Sequence, residues 1–285
     1  MFDYDAERLG VVLLEISRSN MSSEAWDWFQ DKLKITGLTA INSTFSLIPR
    51  KIGKESIKVS HSDSKIISQI KPGLCLEGWS TDRVVRVCFL VHLNASVKDT
   101  YYKTIENMFL AAEMTELVAL YSALPLLAYP EFWKMRCAEG VRSNIATVLE
   151  ALMYCNPYPA QHLDEKAWNQ LILKAFFTDK DVNRIYGLDL RANAELAIIL
   201  SDYAHERWAA GRSVNPLLWR STSKFIDSRI LNDLEKVLAE GNSKDKQAAA
   251  LTIHNSNSTE AAKLLTNYKE LEILIKNKNL SWDQL

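Results

Sequence analysis

The residues best suited to chemistry lie between positions 130 and 220. Glu139, Arg142 and Asn144 fall in one helical run and Trp168 and Asn169 in a second. Asp189 precedes a third run, which carries Asp202, His205 and Arg207. Arginine grips phosphate and carboxylate groups because its planar fork donates two parallel hydrogen bonds. On a wheel of about 100° per residue, Arg207 falls among Leu196, Ile199, Leu200 and Tyr203. Arg142 falls within the sector of Met135, Ala138, Ile145, Leu149 and Leu152, with Glu139 at its edge. Guanidiniums aimed at a core need partners, and Glu139 and Asp189 are the expected carboxylates. Two readings stay open: an anion pocket for a metabolite, or a buried ion-pair network tying the central helices together.

Other chemistries are poorly supplied. Asp202, His205 and Glu206 form an acid and imidazole set on one helix, but a metal needs ligands converging from several elements. A di-iron bundle needs a second Glu-x-x-His copy. No metal and no cofactor is expected. Neither a Gly-x-Ser-x-Gly elbow nor a cysteine in a His-pairing motif occurs, so no catalytic residue is assigned. Trp133, Trp168, Trp208 and Trp219 could wall an apolar pocket for an aromatic metabolite, or simply pack helices.

The elements that must hold these residues read as helices almost throughout, since the 3.6-residue period recurs and strict alternation does not. Stripes begin at Leu9, Trp26 and Ile41, the third stopped by Pro49. A polar surface loop, expected to be mobile, covers 50–64, with a short helix over 64–70. Ser80-Thr81-Asp82 caps the next helix, and runs over 99–112 and 113–127 follow. One long helix is expected over 130–156, ended by Asn156-Pro157. Later starts are marked by Asp164, Asn193 and Asn215-Pro216, and short amphipathic helices fill 228–276. The fold class is all-α, an elongated array of stacked helical hairpins, solenoid or HEAT-like. Three regions are drawn, 1–115, 116–222 and 223–285, in one continuous domain.

Lys+Arg 34 against Asp+Glu 35 gives no net field, which argues against a general nucleic-acid binder. The N-terminus lacks a basic region, and the longest apolar run, 117–129, is short and contains Pro125. No signal peptide or transmembrane segment is expected. Cys75, Cys88, Cys137 and Cys155 make no C-x-x-C pair and read as reduced core thiols of a cytoplasmic protein.

A string of motifs resembles the EboA family. It runs through Leu124-Pro125-Leu126-Leu127-Ala128-Tyr129-Pro130, Ala138-Glu139-Gly140-Val141-Arg142-Ser143-Asn144 and Asn156-Pro157-Tyr158-Pro159. It continues through Trp168-Asn169-Gln170-Leu171, Gly187-Leu188-Asp189, Asp202-Tyr203-Ala204-His205-Glu206-Arg207-Trp208-Ala209-Ala210-Gly211-Arg212 and Leu218-Trp219-Arg220. The resemblance implies a cytoplasmic protein of a metabolite biosynthesis and export cluster, named for metabolite traffic toward the periplasm. It carries no catalytic residues over. The expected function is a non-catalytic binding or scaffold protein whose partner is a small-molecule metabolite or another protein of the pathway. An enzyme acting on an anionic or aromatic metabolite near Arg142 and Arg207, and a pure adaptor, are the alternatives.

Overall fold

The computed structural model describes residues 1–285 and is all-α. An isolated antiparallel bridge joins Ser56 and Ser80, and there is no strand or sheet. The chain divides into two compact units, Met1–Asp164 and Glu165–Leu285.

The first unit contains α1 (Ala6–Ser19), α2 (Ser23–Lys32), α3 (Leu38–Ile52), α4 (His61–Ile70), α5 (Thr81–Val91), α6 (Lys98–Ala111), α7 (Met114–Ala123), α8 (Lys134–Arg142), α9 (Ala146–Met153) and α10 (Tyr158–His162). The stripe Leu9, Val12, Leu13 and Ile16 of α1 is buried against α5. Helix α5 also packs on α3 and α7, and every residue of it except Arg83 is buried. A helix buried on all sides belongs to the middle of a core, yet this one carries Asp82 and Arg86.

Arg86 explains why α3 runs past the proline expected to stop it. Pro49 has no N–H to give to the carbonyl four residues back. Arg86 Nε donates to that carbonyl, Phe45 O, at 3.1 Å. Its Nη1 reaches Asp82 Oδ2 at 3.0 Å, and Nη2 lies 3.8 Å from Glu116 Oε1. Burial lowers the pKa of Arg86, while Asp82 and Glu116 oppose that shift. A buried, carboxylate-paired arginine therefore exists, but on α5 rather than at Arg142 or Arg207.

The polar loop is narrower than the sequence suggests, because α3 extends to Ile52 and α4 starts at His61 behind a Ser60 cap. What remains is tied at several points. Ile57 N donates to Trp79 O at 3.1 Å and Thr81 N to Glu55 O at 2.8 Å. The Asn20 side chain brackets the backbone of Lys58 at 2.7 and 2.9 Å.

The single helix expected over 130–156 is three pieces: a 3-10 turn, Pro130–Trp133, then α8 and α9. Tyr129 stands in the left-handed region at φ 56 before the first piece. Ser143 breaks the second, because its Oγ accepts from Ile145 N at 3.1 Å and offers the backbone a local alternative to the helix. Asn156 is buried beyond α9. Its amide donates to Tyr121 O and Ala151 O at 3.0 and 2.9 Å, and its Oδ1 accepts from Tyr158 N at 3.0 Å.

The cysteines do not all remain thiols. Cys75 and Cys155 form a disulfide with their Cα atoms 5.2 Å apart. Cys155 lies past the end of α9 rather than in an apolar helical run, at φ 51. Cys88 and Cys137 are free and fully buried.

The second unit contains α11 (Glu165–Phe177), α12 (Ala194–Ala209), a long 3-10 segment (Pro216–Phe225), α13 (Ser228–Glu240), α14 (Ser243–His254), α15 (Thr259–Leu265) and α16 (Lys269–Lys276). Asn193 caps α12 by accepting from Leu196 N at 2.8 Å, and Asn215 starts the 3-10 segment by accepting from Leu217 N at 3.0 Å. That segment packs on α12 and α14. Helices α12 to α16 each pack on the next in chain order.

Candidate functional site

Of the nine residues singled out in the sequence, three lie in the first unit. Glu139 is exposed and pairs with Arg136 at 2.8 Å, while Arg136 also grips Glu106 at 2.5 Å. Arg142 and Asn144 are exposed. The wheel buried Arg142 because it borrowed its phase from Ile145, Leu149 and Leu152, which belong to a different helix once Ser143 breaks the run.

The other six lie in the second unit, where most have structural partners. Trp168 is fully buried, with the Arg191 guanidinium 5.2 Å from its ring. Asn169 and Asn193 exchange amide hydrogen bonds at 3.2 and 2.8 Å, so Asn169 steadies the cap of α12. Asp189 takes both Nε and Nη2 of Arg220, at 2.7 and 2.6 Å. Asp202 is ion-paired with Arg229.

Arg207 is half-buried and donates from Nε to Ser213 O at 2.9 Å. The buried face of α12 is Leu196, Ala197, Leu200, Ser201 and Ala204. It is turned by roughly 80° from the sector of large side chains, at about 100° per residue. Small residues let the neighbouring segments come close, and this takes Arg207 out of the core.

That rotation buries Ser201 and brings His205 to α13. Ser201 Oγ donates to Asp233 Oδ2 at 2.6 Å, and His205 Nε2 lies 2.5 Å from Asp233 Oδ1. The Asp233 side chain is only 5% exposed, whereas that of His205 is 49% exposed. Since a carboxylate only accepts, Nε2 carries the proton. In a nucleophilic relay the serine proton must go to the imidazole. Here the carboxylate accepts from both, so the cluster ties α12 to α13.

Beside it lies the feature with the character of a binding site. The His205 and Trp208 rings are 5.5 Å apart, and Trp208 stacks on the buried Trp219 at 6.0 Å with 26° between the planes. Lys236 Nζ stands 4.6 Å from the Trp208 ring. Trp208, Trp219, Arg212, Lys236, Glu240 and Asp245 are among the walls of a cavity of about 360 Å³. That volume lies within the range of small-molecule sites, about 300–1,000 Å³. Asp245 already accepts from Asn242 N at 3.0 Å in the capping box of α14. Neither Arg212 nor Lys236 has a carboxylate within ion-pair distance. Indole faces favour planar aromatic ligands, and the wall offers Arg212 and Lys236 as cations alongside the carboxylates Glu240 and Asp245.

Asp233 and Lys236 carried no role in the sequence reading, and Arg212 entered it only as the end of a family-like motif. Asp233 had a visible signal: it falls between Ile230, Leu234, Val237 and Leu238 on the apolar stripe of α13, where a carboxylate needs a partner.

The family model described as metabolite traffic protein EboA matches residues 11–223. No match to the chain was found among curated proteins or among solved structures. Trp208, Arg212 and Trp219 lie inside the matched stretch, and Asp233 and Lys236 lie beyond its end.

Proposed function

The chain belongs to the EboA family of metabolite traffic proteins, and on that premise we propose a non-catalytic small-molecule-binding protein of metabolite processing and export toward the periplasm. Its site is the Trp208 cavity, and its ligand class is a planar aromatic acid. The observation that carries this reading is the stack of Trp208 on Trp219 with Lys236 over the outer ring. The commitment of Ser201 and His205 to Asp233 favours binding over catalysis. His205 is retained as a neighbour of the site. Glu139, Arg142, Asn144, Trp168, Asn169, Asp189, Asp202 and Arg207 are read as structural or surface residues.

The same reading includes two broader expectations. The cytoplasmic location rests on the resemblance, alongside the finding that no helix is long and apolar enough to cross a membrane. The HEAT-like stacking of 223–285 is supported by the packing of α13 to α16 in chain order.

Calorimetric titration with 2-naphthoate as probe tests the site. Binding is expected in the wild type, weakened about tenfold or more, worth about 1.4 kcal/mol, in both Trp208→Ala and Lys236→Glu. No binding of naphthoate or benzoate, or binding indifferent to both substitutions, overturns the reading.

A further inference from the structure

We propose that the Cys75–Cys155 disulfide is a reversible thiol–disulfide exchange site, reached by a dithiol reductant through the cavity that Cys75 lines. The inference is independent of the Trp208 cavity.

The four cysteines fall into two classes. Cys88 and Cys137 are fully buried, and burial pushes the Cys88 thiol up to about 12 and the Cys137 thiol higher still. Such thiols yield little thiolate and are inert. Cys75 and Cys155 are half-buried and bonded to each other. Cys75 opens onto a cavity of about 400 Å³ walled by Ile57, Val59, Ile67, Leu76 and Glu77, among others, whereas Cys155 is not part of its lining. Cys75 is therefore the cysteine of the pair that this cavity presents to an incoming thiolate.

The chemistry balances as two successive exchanges. A thiolate of the dithiol attacks Cys75 Sγ. The Cys75–Cys155 bond breaks, and its electron pair leaves on Cys155 Sγ, which takes a proton. The second thiol of the reductant then displaces Cys75 Sγ, which leaves as thiolate and is protonated. The protein disulfide gains two electrons and becomes two thiols, and the dithiol becomes a cyclic disulfide.

The local structure allows this without unfolding. The segment around Cys75 is anchored at both ends. Lys71, buried, pairs with Asp3 at 2.8 Å, and Trp79, also buried, accepts from Ile57 N at 3.1 Å. Reduction thus removes the covalent tie while buried Leu74 and Leu76 and the hydrogen bond from Cys75 N to Cys155 O, 3.4 Å, keep the loop in place. Cys155 stands at φ 51, a left-handed conformation unfavourable for a residue with a Cβ.

The test equilibrates the native full-length protein in dithiothreitol buffers of graded redox ratio, then traps thiols with iodoacetamide for peptide mass spectrometry. Cys75 and Cys155 are expected to gain label together in a single two-electron transition, while Cys88 and Cys137 stay unlabelled until guanidinium is added. Hydrogen exchange should rise around 72–78 and 154–156 and remain unchanged in α5. In Cys155→Ser, the remaining Cys75 should react with 5,5′-dithiobis(2-nitrobenzoate) about tenfold or more faster than Cys155 does in Cys75→Ser. A pair that stays oxidised or stays reduced across the whole series overturns the proposal. So does labelling of all four cysteines together, or a faster Cys155.

Discussion

Arg86 Nε occupies, at Phe45 O, the hydrogen-bonding place that Pro49 cannot fill. One buried guanidinium thus completes a helix on a neighbouring element and, through Asp82 and Glu116, neutralises two carboxylates. Arg86→Met is expected to strand both and cost about 3–5 kcal/mol. Pro49→Ala restores a backbone donor to Phe45 O, so the same substitution in that background should cost about 1 kcal/mol less. Urea midpoints of the four proteins give the coupling, and zero coupling would separate Arg86 from the proline. Arg142→Ala, on an exposed side chain, should change stability by about 0.5 kcal/mol or less.

Asp233 is the acceptor on which Ser201 and His205 both depend. Asp233→Ala leaves the fully buried Ser201 hydroxyl without its partner and is expected to cost about 1–3 kcal/mol. His205→Ala should cost less, because half of that side chain already meets solvent. Equal losses from the two variants would count against a buried carboxylate as the centre of the tie.

The fold was legible where periodicity and caps act locally. Leu9 to Ile16 and the Asn193 cap both stand where the sequence puts them. The candidate site was not legible, for three physical reasons. Ser143 interrupts a helix through its own side chain, so wheel phases taken across it are meaningless. In α12, Ala197, Ser201 and Ala204 face inward because close approach favours small residues, and a wheel drawn from large apolar residues points elsewhere. Arg86 and Asp233 act through partners 41 and 28 residues away, Phe45 and His205, which no local pattern reveals.

Gly140 sits in one of the family-like motifs for a packing reason. A Cβ there would stand 2.5 Å from Tyr121 Cε1 and closer still to Leu152 Cδ1. Gly140→Ala should therefore destabilise by about 1–3 kcal/mol despite the better helix propensity of alanine. A stabilised variant in thermal unfolding would show that α7 and α9 yield easily.

His162 gives one acid-sensitive contribution. Burial lowers its pKa below the usual 6.5, Glu131 opposing, with the ring 4.4 Å from that of Tyr158. The unfolded chain then takes up the proton first as pH falls. The contribution is fully present above pH 6.5 and is lost as pH drops through the lower, folded value. The loss of midpoint between about pH 7.5 and about pH 5.5 should be smaller in His162→Gln than in wild type. An identical loss in both would assign the acid sensitivity elsewhere.

The link between Cys75 and Cys155 joins positions 80 residues apart. When the oxidised chain unfolds, it becomes a lariat-like polymer, a closed ring carrying two open tails. Such a ring explores fewer arrangements than a linear coil, and its denatured form is less favourable by about 4–5 kcal/mol on chain entropy. Helices α5 to α9 lie inside the ring, so they can never drift further apart than its contour allows. Scattering in concentrated urea should find the oxidised chain more compact than the reduced one. Any machine that pulls on either end meets a doubled strand when it reaches the ring.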